Sequence, residues 1–301
     1  MVSSQSNEQN IGSAYTIRTM TCDQLAIAIK WAAAEGWNPG LHDAKCFYAA
    51  DPDGFLMGFL DGEAIASISA VRYGKTFGFL GFYIVRPEWR GHGYGIQIWQ
   101  AGLNYLQGRN IGLDGVVEQQ ANYVKSDFQL AHRNIRYEGT GGLGENPPQI
   151  EKMLGDDISL VSLSSVSRET IISYDKRIFL DNRSAFLHCW LSSPRHVAIG
   201  LMNNNNLVGY GVLRPCQLGY KIGPLFADTP EFAEAIFLAL KSHVQPSVPF
   251  YLDVPSVNTA AVDLAKKYRM TSVFETARMY TQQPPALPLN KIFGITTFEL
   301  G

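Results

Sequence analysis

Apolar and polar positions change rhythm along this chain in a regular order. Ala14–Arg18 alternates with the two-residue period of a strand whose faces differ. Thr21 then offers a side-chain oxygen to the first donors of a predicted helix over Cys22–Ala34, and Asp23 suits its first turn. Gly36-Trp37-Asn38-Pro39-Gly40 breaks that pattern into a loop. Phe55–Leu60 and Ala64–Arg72 read as two strands of a hairpin about Asp61-Gly62. Phe77–Val85 is apolar almost throughout, as in a buried strand. After it Ile96, Trp99, Leu103 and Leu106 recur at helical spacing. Leu113–Val117 predicts a short strand, Asn122–Phe128 a short helix and His132–Tyr137 a last strand.

The second half repeats this order. Leu207–Arg214 echoes Ala64–Arg72, each ending in arginine. Tyr220–Leu225 leads into a helix carrying Phe232, Ile236 and Leu240 at four-residue spacing. Tyr251-Leu252-Asp253-Val254 echoes Gly112-Leu113-Asp114-Gly115, and Arg278-Met279-Tyr280 echoes Ile135-Arg136-Tyr137. Repetition at similar spacing points to duplication of one fold. Between the copies Gly139-Thr140-Gly141-Gly142-Leu143-Gly144 resembles a phosphate loop, but Glu145-Asn146-Pro147-Pro148 follows it, and two prolines open no regular helix smoothly. The division expected is therefore a polar tail at 1–13, a first domain at 14–138, a linker at 139–155 and a second domain at 156–301.

One turn stands out against this pattern. Arg90-Gly91-His92-Gly93-Tyr94-Gly95 lies between the buried strand and the helix of Ile96 and Trp99. Glycines there let a ligand approach the backbone, and the helix N-terminus adds partial positive charge, which suits a phosphate or pyrophosphate. At the same place the second copy has Pro224–Glu231, without glycine and with two acids, which would repel such a group. Composition narrows the rest. The 301 residues are 46% hydrophobic and 17% charged, enough for two soluble cores, and the net charge of -2 argues against a general nucleic-acid binder. No apolar run is long enough to cross a bilayer, and the polar start Met1–Asn7 has no signal core, so a cytoplasmic protein without membrane contact is expected. Cys22, Cys46, Cys189 and Cys216 are isolated and read as reduced thiols. The six histidines show no ligand spacing, so no metal is expected, and there is no G-x-S-x-G elbow.

Val85–Gly95 resembles the acetyl-CoA signature of the GNAT superfamily of N-acetyltransferases, R/Q-x-x-G-x-G/A, matched by Arg90, Gly93 and Gly95. The first half is similar to this fold from about residue 14 to 138. The second half looks like the degenerate GNAT-like domain of two-domain bacterial members, and its close, Ala286–Gly301, is similar to their C-terminus. The resemblance implies a mixed α/β (α+β) protein of tandem GNAT-like domains, each a central mixed, mostly antiparallel sheet flanked by helices. It implies an acyltransferase in which a primary amine, on a small molecule or a protein lysine, directly attacks the thioester of acetyl-CoA. The turn Arg90, Gly91, His92, Gly93, Tyr94, Gly95 and Ile96 would hold the pyrophosphate. Tyr83, Ile84 and Val85 would pair with the pantetheine arm, which Asn122 would touch. Tyr123 fits the position of the acid that protonates the leaving thiolate, in Tyr123-Val124-Lys125-Ser126-Asp127-Phe128, although Asp127 stands where the family has glycine.

The residues themselves leave the base open between Glu118, after the Val116-Val117 strand end, and Asp114 on the same strand face; the counterpart Asp253 gives Asp114 a structural reading and favours Glu118. Trp37, Asn38, His42 and Asp43, on the loop after the first helix, are the acceptor-side residues expected from the resemblance, an aromatic and a carboxylate suiting an ammonium. Asp175, Asp181 and Arg183 are either cleft-facing or surface charges. A homodimer is compatible with this reading. The rival is a non-catalytic acyl-CoA sensor; a nucleotide binder is weaker, because no G-x-x-x-x-G-K-[ST] loop exists.

Overall fold

The computed structural model describes residues 14–143, 150, 154–155, 157–179 and 181–301; the polar tail at 1–13, Gly144 and most of the junction after it lie outside these. Thirteen strands are found among them: β1 (Tyr15–Thr19), β2 (Phe55–Leu60), β3 (Glu63–Tyr73), β4 (Phe77–Val85), β5 (Asn110–Val116), β6 (Gln129–Thr140), β7 (Ile158–Ser162), β8 (Val197–Asn203), β9 (Asn206–Pro215), β10 (Tyr220–Ala227), β11 (Pro249–Pro255), β12 (Thr271–Tyr280) and β13 (Ile292–Gly294). Eight helices accompany them: α1 (Cys22–Ala34), α2 (Asp43–Ala50), α3 (Tyr94–Tyr105), α4 (Gln120–Val124), α5 (Arg168–Phe179), α6 (Ser184–Ser192), α7 (Pro230–Lys241) and α8 (Thr259–Lys267). Local chemistry explains several bounds. Thr21 and Gln24 form a reciprocal cap on α1, and Thr229 caps α7 with Pro230 in its first turn.

The strands make one continuous mixed sheet in the order β1-β2-β3-β4-β5-β12-β6-β11-β10-β9-β8-β7, with β13 added to β10. Only β4–β5 and β10–β11 are parallel among its pairings. The sheet does not break at the linker. β12, from the second half, inserts between β5 and β6, while β6, from the first half, pairs with β12 and β11. Each half is completed by a strand of the other.

Charge follows the same exchange. Arg278 of β12 makes a forked pair with Asp114 of β5, at 2.9 and 2.6 Å, and Arg136 of β6 does the same with Asp253 of β11, at 2.7 and 2.8 Å. The echo between Asp114 and Asp253 is thus an echo of two buried ion pairs, each tying one half to the other. Desolvating four charges is costly, and the bidentate geometry offsets it.

Helices α3 and α4 cover one face of the first half, where Ile98, Trp99 and Leu106 pack with Ile68, Leu80 and Leu113. On the other face α1 and α2 share a core with α5, α6 and the tail, built on Phe47, Phe82, Phe186, Trp190 and Phe298. At that seam Cys46 Sγ and Cys189 Sγ lie 2.6 Å apart, both free thiols. Helix α2 corrects the loop expected there: Asp43 opens a helix. Its eight residues carry only a short apolar pattern, and packing on α6 supplies what propensity does not. Asp175 and Arg183 are corrected too. They are a buried ion pair at 2.7 Å, joined by Tyr210 Oη, so neither surface charge nor cleft residues.

Candidate active site

Strands β4 and β5 run side by side only from Phe77↔Asn110 to Leu80↔Leu113. A bulge then interrupts β4. Ser69 pairs with Gly81 and Ser67 with Ile84, so Phe82 and Tyr83 together oppose Ile68 of β3, and Phe82 has φ +45°. Ser67 Oγ fixes the bulge by donating to Phe82 O at 2.8 Å. The end of β4 turns away from β5 as a result, leaving Tyr83–Val85 with their β5-side backbone groups facing a cleft. A cavity of about 450 Å³ fills the gap, lined by Tyr83, Ile84, Val85, Arg90, Gly91 and Gly95 on one side and by Gly115, Gln119 and Tyr123 on the other.

At the mouth of this cleft Gly91 (φ +83°) and Gly93 (φ +82°) take left-handed backbone, and α3 begins at Tyr94. A Cβ at either glycine would meet nothing within 4 Å, so the space above them is open, and the first amides of α3 have no capping side chain at glycine 93. Trp89 Nε1 beside them is buried without a hydrogen-bond partner among the described residues. At Gly95 a Cβ would come within 2.8 Å of Tyr83 Oη. The exposed Arg90 guanidinium donates to Val85 O at 2.8 Å and to Glu35 Oε1 at 2.5 Å, so it props the turn against α1. His92 Nδ1 contacts Arg90 O at 3.0 Å, and Ile96 stands 63% exposed beyond the turn. His92, Gly93, Tyr94 and Ile96 border the mouth without lining the cavity.

Tyr123 reaches the cleft from α4. Its ring stacks on Trp99 with centroids 5.6 Å apart, and lies so close over Gly115 that a Cβ there would be 2.2 Å from it. Burial, with the Tyr83 phenol a smaller contributor, pushes the Tyr123 hydroxyl up to about 12, so it holds its proton at neutral pH. Asn122 is exposed and outside the lining, exchanging hydrogen bonds with Gln119 and Lys125. Glu118 is also exposed and outside it. Strand β5 ends at Val116 and the chain turns through a tight 3₁₀ turn at Val117–Gln119, which puts Gln119 rather than Glu118 in the cavity lining.

On the acceptor side the structure separates the expected residues. Trp37 lines the cavity, and its carbonyl receives Arg136 Nη1 at 2.8 Å. Asn38 exchanges two hydrogen bonds with the backbone of Leu218, clasping the second half. Asp43 is buried, accepting from Gly40 N at 2.8 Å and pairing with Arg214 at 3.2 Å; it does not reach the cavity.

Sequence reasoning missed the residues that close the inner end: Phe274 and Thr276 of β12, and Phe298 and Glu299 of the tail. The Glu299 carbonyl sits on Gly81, where a Cβ would stand 2.2 Å from it, and Tyr73 Oη donates to Leu300 O at 2.9 Å. Glu299 is 5% exposed, and burial raises its carboxyl above the usual range. Only the general likeness of residues 286–301 to a family C-terminus pointed at this stretch.

The corresponding gap in the second half is filled by the chain itself. β10 and β11 separate after Ile222↔Leu252, and β13 enters, pairing with β10 at Leu225↔Gly294 while Ile295 N donates to Asp253 O at 2.9 Å. The first amides of α7 are occupied as well, by Thr229 and by the Glu231 carboxylate, which hydrogen bonding to its backbone and to Thr229 holds below its usual range.

Known proteins share this architecture. The acetyltransferase (GNAT) family model matches residues 22–123, and the acetyltransferase (GNAT) domain model matches residues 171–294. The chain is 28% identical over 288 residues to the holothin acyltransferase of a Pseudoalteromonas species, covering 95% of each. A solved structure of a Pyrococcus horikoshii acetyltransferase superposes with a TM-score of 0.79, at 22% identity over 99% of both chains. A tandem GNAT protein of clavulanic acid biosynthesis gives 0.62 at 10% identity, over 91% of this chain and all of that one. With two GNAT matches in tandem and one open β4–β5 cleft, the chain belongs to the GNAT superfamily of N-acetyltransferases and is an acyltransferase.

Proposed function

We propose that the first half carries acetyl from acetyl-CoA to the primary amine of a small molecule by direct attack, and that the second half walls the acceptor end. The observation that carries this is the pairing of an open strand edge at Tyr83–Val85 with the glycine turn at the head of α3. The residues fit such a donor. Open space over Gly91 and Gly93 leaves room for a pyrophosphate on backbone amides, and unpaired β4 backbone suits the amides of a pantetheine arm. When bound, acetyl-CoA supplies an acyl carbon activated as a thioester. Tyr123 then stands in the cleft to give its proton to the departing sulfur. Trp37, Phe82, Phe274 and Phe298 enclose the other end. That apolar enclosure favours a small amine over a lysine on a protein surface, and the holothin-directed relative is consistent with a small acceptor.

Calorimetry with acetyl-CoA tests the donor site. One site per chain is expected, since β13 fills the second gap. Gly93→Asp should weaken binding at least 100-fold with an unchanged circular dichroism spectrum, because its carboxylate projects into the anion's place. Equal affinity in the folded variant overturns the site.

A further inference from the structure

We infer that Glu299, delivered by the C-terminal tail, is the group that receives the proton of the acceptor amine. This rests on the acyl-transfer reading above and names the residue that reading lacks.

The geometry is specific. The tail first fills the second half's gap as β13, and its next residues cross to the first half, where the Glu299 backbone presses on Gly81, immediately before the β4 bulge. Glu299 thereby joins the residues that line the cavity, together with Tyr123, Trp37, Phe274 and Phe298. The other buried acids nearby are already committed. Asp114 is forked onto Arg278 and also takes Asn134 Nδ2 at 2.7 Å; Asp253 is forked onto Arg136; Asp43 is paired with Arg214. Among the described ion pairs Glu299 has none within 4.0 Å. A buried carboxylate without a cation partner in a ligand cavity is poised for a cationic guest.

Its surroundings tune rather than consume it. Burial raises its proton affinity most, and Asp43 of α2 adds to this; Lys221 of β10, Arg214 of β9 and Arg136 of β6 oppose it. Each of these cations is held elsewhere, Lys221 by Asn38 O at 3.0 Å and the arginines by Asp43 and Asp253. On the cavity side Glu35 of α1 also lines the space, but Arg90 neutralises it.

In the step, one proton of the ammonium passes to the Glu299 carboxylate, the freed lone pair forms the C–N bond, the C–S bond breaks, the thiolate takes the Tyr123 proton, and the second proton leaving the acylated nitrogen returns to the Tyr123 phenolate. Glu299 then gives its proton to solvent, which restores the carboxylate.

The test uses the full chain with acetyl-CoA and two aromatic primary amines as probes, 2-phenylethylamine and tyramine, following CoA release against pH. Wild type should show an acidic limb, with rate rising as Glu299 loses its proton. Glu299→Gln should lower kcat about 100- to 1000-fold, flatten that limb and leave the acetyl-CoA Kd within twofold. Glu299→Asp should retain the limb at reduced rate. A Glu299→Gln enzyme that keeps the limb with kcat within threefold overturns the inference but not acyl transfer. So does one whose acetyl-CoA affinity falls as far as its rate, which marks a structural role. Failure of wild type to bind acetyl-CoA removes the acyl-transfer reading, and the inference with it; tight binding without CoA release from either probe removes the inference alone, because the end lined by Trp37, Phe274 and Phe298 was then misassigned as the amine site.

Discussion

Burial suits Tyr123 to the acid role proposed for it. Its hydroxyl lies in the cleft while its ring is wedged between Trp99 and the bare Cα of Gly115, so burial keeps the phenol protonated far above neutral pH. Tyr123→Phe keeps the ring and its packing; kcat should fall 10²- to 10⁴-fold with acetyl-CoA affinity unchanged, measured by CoA release and calorimetry. Equal turnover would remove the acid role. Tyr123 could be found in the sequence because its spacing to Phe128 lies within one local segment. Glu118 could not be placed by the same reasoning, since strand alternation predicts a face only while the strand lasts, and β5 stops two residues earlier. Glu299 was beyond reach for another reason. Its position depends on Gly81, more than two hundred residues away, and no local period encodes such a contact.

At the scale of elements, the two gaps between parallel strands have opposite fates. One keeps glycines and an unoccupied strand edge; the other receives β13, which uses the edge up. The loss of glycine at Pro224–Glu231 was visible in the sequence, but the occupant was not, because a three-residue strand gives no pattern of its own. The bounds of α1, β2 and β4 were legible, since capping and apolar runs are local. The tail and β4 depend on each other at Gly81. Gly81→Ala would force a methyl group into the Glu299 backbone, so the tail must shift. The expected outcome is a loss of about 1–3 kcal/mol in a urea titration together with a kcat decrease greater than tenfold. Stability and turnover both at wild-type level would show that the tail is not seated there.

Across the whole molecule, the halves are joined by exchanged strands and by two buried forked ion pairs. Removing one partner leaves the other charge buried and alone. Arg278→Leu should therefore cost about 3–5 kcal/mol, read from urea unfolding, and the loss should be largely recovered in the Arg278→Leu, Asp114→Leu double variant. A cost below about 1 kcal/mol for the single variant would show the pair to be dispensable. The duplication was legible as repeated order; the exchange was not, because strands with equivalent patterns can satisfy either neighbour equally well. That exchange also sets a timetable. A ribosome that has made residues 1–140 has produced the glycine turn, the bulge and Tyr123, yet the edge of β5 still waits for Thr276–Tyr280, synthesised about 140 residues later. The nascent first half must shelter an open strand edge until β12 has emerged, and the cleft is closed only when Phe298 and Glu299 follow.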